Sequence, residues 1–588
     1  MARLAGSARA PRLPSRLLDG LAKLLDLLLF LLIVVMLAVV ATGGWQGRIG
    51  TTAISVRSIG NLLLASTLLA GLRALRPEAR VLGLQGATLI TLGEAALARL
   101  QRLRAALDTV TAERARRVVL MLLVFASVIR ILNALYYFGF VTGDDVEIQE
   151  MTLARVLGRD WPTWDLRNAF YPMVFVYPVQ RALAALGATE TFTLIAAGRL
   201  VVTAFAALNI WLVYRVGVAL FQSRGHGLLA AGLFFFSPLH MTYGSAELPR
   251  IIATTFVLGA FWACLRPRWT SAAVAGALAG VGACLRFGEV AFVGPALLTA
   301  LAWPVGPSAQ REPIGRRIGH ACLMALTAVG VAALIIGISD ALYWGEPFHS
   351  LRAIVDYTLV KQLSSRGYEP FAYYLTHIPA WSDLFLVGLA VAAARLGGGL
   401  PLLWALVPIG LLSLLPHKEP RYVIVAVPFL ALAASRTLWV WLSRLARSDT
   451  WARPQRAPLV ALLLVMVAAG TALFDVSKFR FTRSEDAVRL AWAIADSGAT
   501  GLAADQLWRL GGRLYLDSTG PLIDLDPDPS DSESAFAATL CRPDVHWASL
   551  RAERLTRPRL DALRSCGFTE SPLSRPDSTG GYVVYRKP

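Results

Sequence analysis

The sequence contains a series of long apolar stretches, of which residues 318–339 are a clear example because they contain no Asp, Glu, Lys or Arg before Asp340. A helix needs about 20 apolar residues to cross the hydrocarbon core of a bilayer. Only 16% of the 588 residues are charged, whereas a soluble domain has about 25%. The sequence therefore predicts a multispan α-helical membrane protein with a modest soluble part.

About thirteen spans are predicted, and several are short enough to suggest tilted or broken helices inside a bundle. They cover approximately residues 21–42, 52–72, 118–138, 191–214, 228–243, 251–265, 271–285, 289–304, 318–339, 381–397, 400–415, 422–440 and 457–475. The span at 52–72 is the weakest, because Arg57 and Asn61 interrupt it.

The distribution of positive charge predicts the orientation. The net charge is +18, and the arginines mark the ends of apolar spans instead of gathering on one polar domain, which favours membrane topology over nucleic-acid binding. The basic N-terminus is expected in the cytoplasm. The Arg-rich part of residues 80–117 is either a helix at the cytoplasmic lipid surface or a plain connecting helix. The polar loops 141–180, 340–380 and 416–422 then lie on the external side.

The segment 476–588 has a different pattern, in which short apolar runs alternate with helical ones, and this predicts a small extracytoplasmic α/β domain. Its expected strands are the runs GLAAD, GRLYLD, PLIDLD, VHWASL and GYVVYR. It contains no recognisable catalytic motif, so we expect a docking or lid role. In an oxidising compartment Cys541 and Cys566 either form a disulfide or remain free thiols. Two further regions precede this one: an N-terminal membrane anchor with the basic helix (1–117) and a transmembrane region that holds the polar loops (118–475).

A polar run, Pro416 to Tyr422, lies between two apolar spans and contains four ionisable side chains, His417, Lys418, Glu419 and Arg421. Charged groups beside a bilayer core are costly, so the cluster favours a functional site over a plain loop between helices. Lys418 and Arg421 suit a phosphate group, the guanidinium as a bidentate ligand and the ammonium as a point charge. His417 can donate to a phosphate oxygen.

A second polar cluster begins with Asp144 and Asp145. Either carboxylate is a candidate general base that takes a proton from an attacking hydroxyl group, as inverting sugar transfer requires. The alternative is a helix cap or a solvated loop. Adjacent side chains point in different directions, so we expect the two acids to have different roles.

Two charged pairs lie at external span ends. Arg286 and Glu289 are spaced to form an ion pair on one helix face, or else Arg286 contacts substrate. For Glu247 and Arg250 the spacing favours a structural ion pair.

Four external segments occur in the order found in a known family. The first, GDDVEIQEMTLARVLGRDWPTWDLRNAFYP, contains Asp144-Asp145, Gly158, Thr163-Trp164-Asp165 and Arg167 to Pro172. It is followed by SDALYWGEPF (339–348), SSRGYEPFAYYL (364–375) and His417-Lys418-Glu419-Pro420-Arg421-Tyr422. Residues 118 to about 440 thereby resemble the mannosyltransferases that use dolichyl-phosphate mannose, a family with members in glycosylphosphatidylinositol-anchor and N-glycan precursor assembly.

The resemblance implies a GT-C glycosyltransferase fold and an inverting enzyme that moves a hexose, with mannose favoured, from a polyprenyl-phosphate sugar. It implies Asp144 or Asp145 as the catalytic base and His417, Lys418 and Arg421 as ligands of the donor phosphate. The expected substrate-binding residues are Glu419, Arg167, Arg286, Tyr373 and Tyr374. We expect no metal or other cofactor, because Lys and Arg can neutralise the single phosphate of the leaving group. The alternative is a metal held by Asp144, Asp145 and Glu147.

The expected partners are membrane lipids, the polyprenyl-phosphate sugar and a lipid-linked or envelope glycan acceptor. The Arg-, Ala- and Leu-rich composition is typical of a high-GC bacterium, which predicts an inner-membrane protein with an extracytoplasmic active site; a eukaryotic protein would lie in the endoplasmic reticulum membrane.

Two other classes of function remain open. One is a transporter or flippase of lipid-linked sugars, although the inverted repeats common in transporters are not evident in the sequence. The other is a non-catalytic envelope scaffold.

Overall fold

The computed structural model describes residues 101–446 and 484–588 with short gaps, and part of the chain before them. The gaps are residues 267, 303–312, 362–367, 383, 517–519, 526–532 and 575–580. Before residue 101 the described residues are 20, 24–25, 27–32, 34–35, 45–49, 52–56, 66, 69 and 98–99. The span predicted at 457–475, and most of the spans predicted at 21–42 and 52–72, lie outside the described residues.

Helices, many of them apolar, make up most of residues 112–446. They are α1 (Ala112–Tyr136), α2 (Gly143–Leu157), α3 (Tyr177–Ala185), α4 (Thr191–Phe221), α5 (Arg224–Phe235), α6 (Pro238–Tyr243), α7 (Pro249–Cys264), α8 (Trp269–Leu285), α9 (Val293–Ala302), α10 (Ile314–Trp344), α11 (His349–Val355), α12 (Tyr373–Thr376), α13 (Ile378–Trp381), α14 (Leu384–Ala392), α15 (Gly399–Leu412) and α16 (Val427–Ala446). Four helical segments among the described residues are long and apolar enough to cross a membrane: Ala112–Tyr136, Thr191–Phe221, Ile314–Trp344 and Pro420–Arg444. The protein is an integral membrane protein; the total of thirteen spans stays a prediction.

Two helix boundaries differ from the sequence prediction. Helix α1 begins at Ala112, where the Thr111 side chain accepts a hydrogen bond from the Arg114 N–H, so the last arginines of residues 80–117 belong to the spanning helix. The predicted span 228–243 is divided at Ser237, because Pro238 has no N–H to continue helix α5.

The predicted span 52–72 is wrong at its start. Residues Thr52–Val56 form strand β2, which pairs antiparallel with strand β1 (Trp45–Ile49). The β-branched residues Thr52, Ile54 and Val56 alternate along β2, and this pattern favours a strand over a helix.

Close packing of small residues joins α8 to α10. Gly276 and Gly280 are four residues apart on one face of α8, and a Cβ atom at Gly280 would lie 2.5 Å from the Ala328 carbonyl oxygen. Gly276 faces Met324 and Thr327 at equally close range. This is the small-xxx-small arrangement by which helices approach each other in membranes.

The C-terminal region, residues 484–588, contains a five-stranded sheet in the order β4-β3-β5-β7-β6. Its strands are β3 (Leu502–Ala504), β4 (Leu522–Asp524), β5 (Trp547–Arg551), β6 (Thr569–Glu570) and β7 (Tyr582–Arg586), and its helices are α17 (Glu485–Asp496), α18 (Glu533–Leu540) and α19 (Arg557–Ser565). Strands β4, β3 and β5 are parallel, whereas β7 is antiparallel to β5 and β6. Cys541 and Cys566 form a disulfide with their Cα atoms 4.9 Å apart.

One predicted strand in this region is wrong. The run GRLYLD, which begins at Gly512, forms a 3₁₀ turn over Gly512–Leu514 instead. Gly511 and Gly512 both have positive φ values, 85° and 54°, which a strand does not permit.

The chain divides by its internal contacts into two units, residues 1–109 with 438–477 and residues 110–437 with 478–588. In the first unit the Arg104 guanidinium lies 3.6 Å from the Trp439 ring centroid and donates to the Ser443 hydroxyl. The second unit contains every residue of the candidate site described below.

Candidate active site

Helix α2 carries the acidic pair at its first turn, and the two carboxylates have different tasks. Asp145 accepts hydrogen bonds from the Thr142 hydroxyl (3.0 Å) and from the N–H groups of Val141 (3.1 Å) and Thr142 (3.2 Å). Thr142 and Asp145 thus form the capping box that begins the helix. Burial raises the pKa of Asp145 to about 6, and the negative charge of Asp144 adds to this, while Arg421 and the Thr142 hydrogen bond oppose it. The Asp145 side chain is engaged in local structure.

Three arginines surround the carboxylate of Asp144. Arg167 Nη2 lies 2.6 Å from Oδ1, and Arg286 Nη1 and Arg421 Nη1 each lie 3.1 Å from Oδ2. The three arginines come from the loop after α2, from the end of α8 and from the polar run before α16. Segments that are far apart in sequence therefore meet at one carboxylate.

The charges around Asp144 determine its protonation state. Burial alone would raise the pKa of this carboxyl group, but the combined attraction of Arg167, Arg421 and Arg286 outweighs burial. The result is a pKa well below the ordinary range of aspartate. Asp144 is consequently ionised at neutral pH, as a general base must be, but its affinity for a proton is low.

Glu419 holds two of the predicted phosphate ligands. One of its carboxylate oxygens is paired with Arg421 Nε, and the other lies 3.2 Å from His417 Nε2. Burial would raise the pKa of Glu419, but the His417 hydrogen bond and the Arg421 charge lower it to about 2. Glu419 therefore orients Arg421 and His417, as second partners orient the ligands of many sites.

Lys418 faces a different environment. Its Nζ donates to the carbonyl oxygens of Glu369 (2.7 Å) and Leu415 (2.5 Å). The same side chain lines a cavity of about 380 Å³ whose other walls include Leu359, Phe371 and Leu414. Lys418 and Arg421 are three residues apart, so their Cα atoms are separated by at most about 11 Å.

The two predicted tyrosines are buried beside the polar run. The Tyr374 hydroxyl donates to the Glu419 carbonyl oxygen at 3.4 Å, and Tyr373 stacks on His377 with ring centroids 4.5 Å apart. Both side chains lie within the protein, with Tyr374 only 1% exposed. Tyr374 thus supports the backbone of the His417–Arg421 segment.

The ion pairs of Arg286 and Arg250 do not follow the partners expected from sequence spacing. Arg286 pairs with Asp144, and Glu289 instead pairs with Arg250 at 3.3 Å. Of the two alternatives for Arg286, the ion pair with Glu289 is wrong, because helix α8 ends at Leu285 and Glu289 lies in the 3₁₀ turn that follows (Phe287–Phe292). The expected Glu247–Arg250 pair is also wrong, because Glu247 precedes helix α7 and pairs with Arg199.

Two arginines near the site have roles that the sequence did not predict. Arg250, besides pairing with Glu289, lies 4.4 Å from the centroid of the Tyr422 ring. Arg199, in the apolar stretch of α4, pairs with Glu247 at 3.0 Å and donates to the Gly139 carbonyl oxygen at 2.7 Å. A charged residue within an apolar span is itself a signal of function or of a buried partner, and Arg199 could have been recognised by it.

Among the residues that the structure describes, no three His, Cys, Asp or Glu side chains are grouped as metal ligands would be. Both oxygens of Asp144 contact guanidinium groups. Independence of metal stays a prediction.

Comparison with known structures identifies the fold. The crystal structure of ArnT from Cupriavidus metallidurans bound to undecaprenyl phosphate matches with a TM-score of 0.52 and 14% sequence identity, over 79% of this chain and 97% of that chain. The apo form of the same enzyme matches with a TM-score of 0.51 and 13% identity, over the same shares. The fold is the helical GT-C type of glycosyltransferases.

The sequence model of the Alg9-like mannosyltransferase family matches residues 122–479. The chain belongs to this family and is a glycosyltransferase. The resemblance seen in the four external segments is thereby confirmed.

Proposed function

We propose that the protein is an inverting glycosyltransferase that moves a hexose, with mannose favoured, from a polyprenyl-phosphate sugar to a lipid-linked or envelope glycan acceptor. The observation that carries the proposal is the meeting of Asp144 with Arg167, Arg286 and Arg421. A carboxylate supplies the base for an acceptor hydroxyl, and arginines supply the positive charge that a departing phosphate needs. ArnT, which shares the fold, binds undecaprenyl phosphate, and this supports a polyprenyl phosphate as the leaving group.

The proposed reaction is a single displacement at the anomeric carbon. The acceptor hydroxyl attacks that carbon from the face opposite the phosphate while Asp144 takes the hydroxyl proton. The bond between the anomeric carbon and the phosphate oxygen breaks, and its electron pair leaves with the polyprenyl phosphate. Arg421 and His417, oriented by Glu419, stabilise the negative charge that develops on that phosphate, and Arg286 contributes from the end of α8.

The donor and Asp144 compete for the same arginines. Without donor, three guanidinium groups keep the pKa of Asp144 well below its ordinary range. A phosphate that draws Arg286 or Arg421 toward itself removes positive charge from Asp144 and adds a nearby negative charge. Both changes favour the protonated form of Asp144, so donor binding makes this carboxylate a stronger base.

This competition predicts a difference between two pH profiles. Activity is lost as the pH falls through the pKa of Asp144, since only the ionised base can take a proton. The free enzyme governs kcat/KM and the bound enzyme governs kcat, so the acid limb of kcat should lie at higher pH than that of kcat/KM for the donor. Across about pH 4 to about pH 8 we expect an acid limb in kcat, whereas kcat/KM for the donor stays flat because the pKa of Asp144 in the free enzyme lies below this range. A kcat profile as flat as that of kcat/KM would contradict the rise in the pKa of Asp144 on donor binding.

The cavity lined by Lys418 suits the lipid part of the donor. Leu359, Phe371 and Leu414 are each at least 60% exposed and present apolar surface at its walls, while the Lys418 ammonium supplies a positive charge. Apolar walls suit an isoprenoid chain, and the positive charge suits its phosphate. We place the polyprenyl phosphate between this cavity and Arg421.

We propose a bacterial inner-membrane location with about thirteen spans and the site on the extracytoplasmic side. The positive-inside distribution of arginines supports this orientation. The Cys541–Cys566 disulfide supports it as well, because disulfides persist in oxidising compartments.

The direct test uses membranes that contain the protein and undecaprenyl-phosphate [¹⁴C]mannose, with an envelope lipid extract as acceptor. We expect labelled product that contains a new glycosidic bond, together with release of undecaprenyl phosphate. Sealed vesicles provide the contrast, because translocation of labelled lipid across the bilayer without any glycosidic product would contradict the proposal and favour a flippase.

A further inference from the structure

The C-terminal region packs directly on the helix that carries Asp144. Val488 and Leu514 from this region share a buried apolar cluster with Val146 and Leu153 of helix α2. At the edge of the cluster, the Trp492 ring lies 4.7 Å from that of Phe138. Burial of this apolar surface holds the C-terminal region against α2.

The centre of this contact is the turn Gly511–Arg513. The Arg513 N–H donates to Glu150 Oε1 at 2.8 Å. Val146 and Glu150 are one helical turn apart on α2, on a face directed away from Asp144. The turn therefore contacts the face of α2 opposite the one that Arg167, Arg286 and Arg421 contact.

Gly512 is the position at which this contact tolerates no side chain. A Cβ atom there would lie 2.9 Å from Val146 Cγ1 and still closer to the Glu150 carboxylate. Its φ of 54° is also one that L side chains rarely adopt. Space and backbone conformation both require glycine.

A neighbouring face of α2 is held by the membrane helices. Gln149, which is fully buried, accepts a hydrogen bond of 2.6 Å from Gln180 Nε2 of α3. Helix α2 thus lies between α3 and the C-terminal region. If the donor phosphate draws arginines from Asp144, these contacts remain to fix the carboxylate.

We propose that the C-terminal region positions Asp144 through a latch made of Glu150, Gly512 and the Arg513 backbone N–H. These are positioning residues, because they act through α2 and do not touch the reacting atoms. The role given to Asp144 rests on the proposed function, whereas the effect of the latch on α2 does not.

Gly512→Ala tests the latch, with Gly498→Ala as its matched control. Gly498 lies in the same region with a φ of 72°, and a Cβ atom there would meet nothing within 4 Å, so alanine incurs the same kind of backbone strain without a collision. We expect Gly512→Ala to lower kcat roughly tenfold or more, since a misplacement of about 1 Å can cost about 100-fold. The KM for the donor and the thermal shift on adding undecaprenyl phosphate should match those of Gly498→Ala.

Hydrogen exchange of the α2 amides gives a readout that does not need activity. We expect faster exchange in α2 for Gly512→Ala than for Gly498→Ala, with unchanged exchange in α8 and α10. Equal kcat and equal α2 exchange in the two variants would overturn the latch. Failure of the wild-type protein to transfer sugar would instead overturn the proposed function, and the exchange result would still decide the latch.

If Gly512→Ala does not fold, the double variant Glu150→Ala/Gly512→Ala still tests the latch. Removing the Glu150 carboxylate loses the hydrogen bond from the Arg513 N–H but also removes the atom closest to the new methyl group. The double variant should therefore lose less folded protein, α2 protection and kcat than the sum of the losses in Gly512→Ala and in Glu150→Ala measured singly. Such coupling is expected only for residues in contact. Additive losses in the double variant would overturn the latch.

Discussion

Asp144→Asn is expected to lower kcat for sugar transfer by about 10²- to 10⁴-fold, the range that a positioned general base contributes. The amide has nearly the same size and can still accept a hydrogen bond from Arg167, but it cannot take the proton of the acceptor hydroxyl. The loss should therefore appear in the chemical step.

The KM for the donor distinguishes loss of the catalytic base from a general loss of folding. With residue 144 neutral, Arg286 and Arg421 lose the carboxylate that competes with the donor phosphate, so KM for the donor should stay the same or fall. A general loss of folding would not produce this combination of lower kcat and unchanged or lower KM.

Asp160→Asn is the matched control, because Asp160 is an exposed aspartate in the loop just after helix α2. It undergoes the same chemical change and should retain the parental rate. Both variants are measured in membranes normalised to folded protein, with labelled undecaprenyl-phosphate mannose at varied concentration. Parental kcat in Asp144→Asn would show that the base is another group.

The division of roles between Asp144 and Asp145 was only partly readable in the sequence. Thr142 followed three residues later by Asp145 is the pattern of a capping box, and it could have assigned Asp145 to the helix start. No local sequence pattern assigns Asp144 to the site. Its contacts with Arg286 and Arg421 join residues far apart in the chain and depend on the packing of the whole bundle.

The same distinction explains which ion pairs were predicted wrongly. Spacing along a helix predicts Arg286–Glu289, but helix α8 ends at Leu285, before both residues, and each finds a tertiary partner. Apolar length, in contrast, is a property of the sequence alone. It predicted spans at the positions of α4 and α10 without knowledge of their neighbours.

In the C-terminal region, the strands that the sequence predicted correctly are those with continuous apolar residues, such as β5 and β7. The run that starts at Gly512 has equally apolar residues but forms a turn, since Gly511 and Gly512 adopt left-handed backbone conformations to fit beside helix α2. A contact with another part of the chain thus overrides the local strand pattern. The contact between this region and helix α2, which carries Asp144, could not be predicted from the sequence.

Arg421→Lys is the second substitution for which a large effect is expected. Arg421 is 3% exposed and uses two different nitrogens, Nη1 toward Asp144 and Nε toward Glu419. Lysine keeps the positive charge but has a single nitrogen, so it cannot bridge both carboxylates in the same geometry. One charge-assisted contact is lost, and the remaining one is displaced.

A hydrogen bond to a charged group contributes roughly 1.5–3 kcal/mol. At about 1.4 kcal/mol per factor of ten, this corresponds to a fall of about 10- to 100-fold in kcat/KM for the donor. Because Arg421 is proposed to bind the phosphate in the ground state and in the transition state, KM should rise as well as kcat fall. This separates Arg421→Lys from Asp144→Asn, in which KM does not rise.

Arg352→Lys is the matched control for this change. Arg352, in helix α11, bridges to Glu346 at 2.8 Å in an exposed pair, which contributes little because water and salt screen it. We expect the control to retain parental kcat and KM while Arg421→Lys loses activity under the same conditions. Equal kinetics in the two variants, with both proteins folded, would exclude Arg421 from phosphate binding and would leave His417, Lys418 and Arg286 as the candidates for that role.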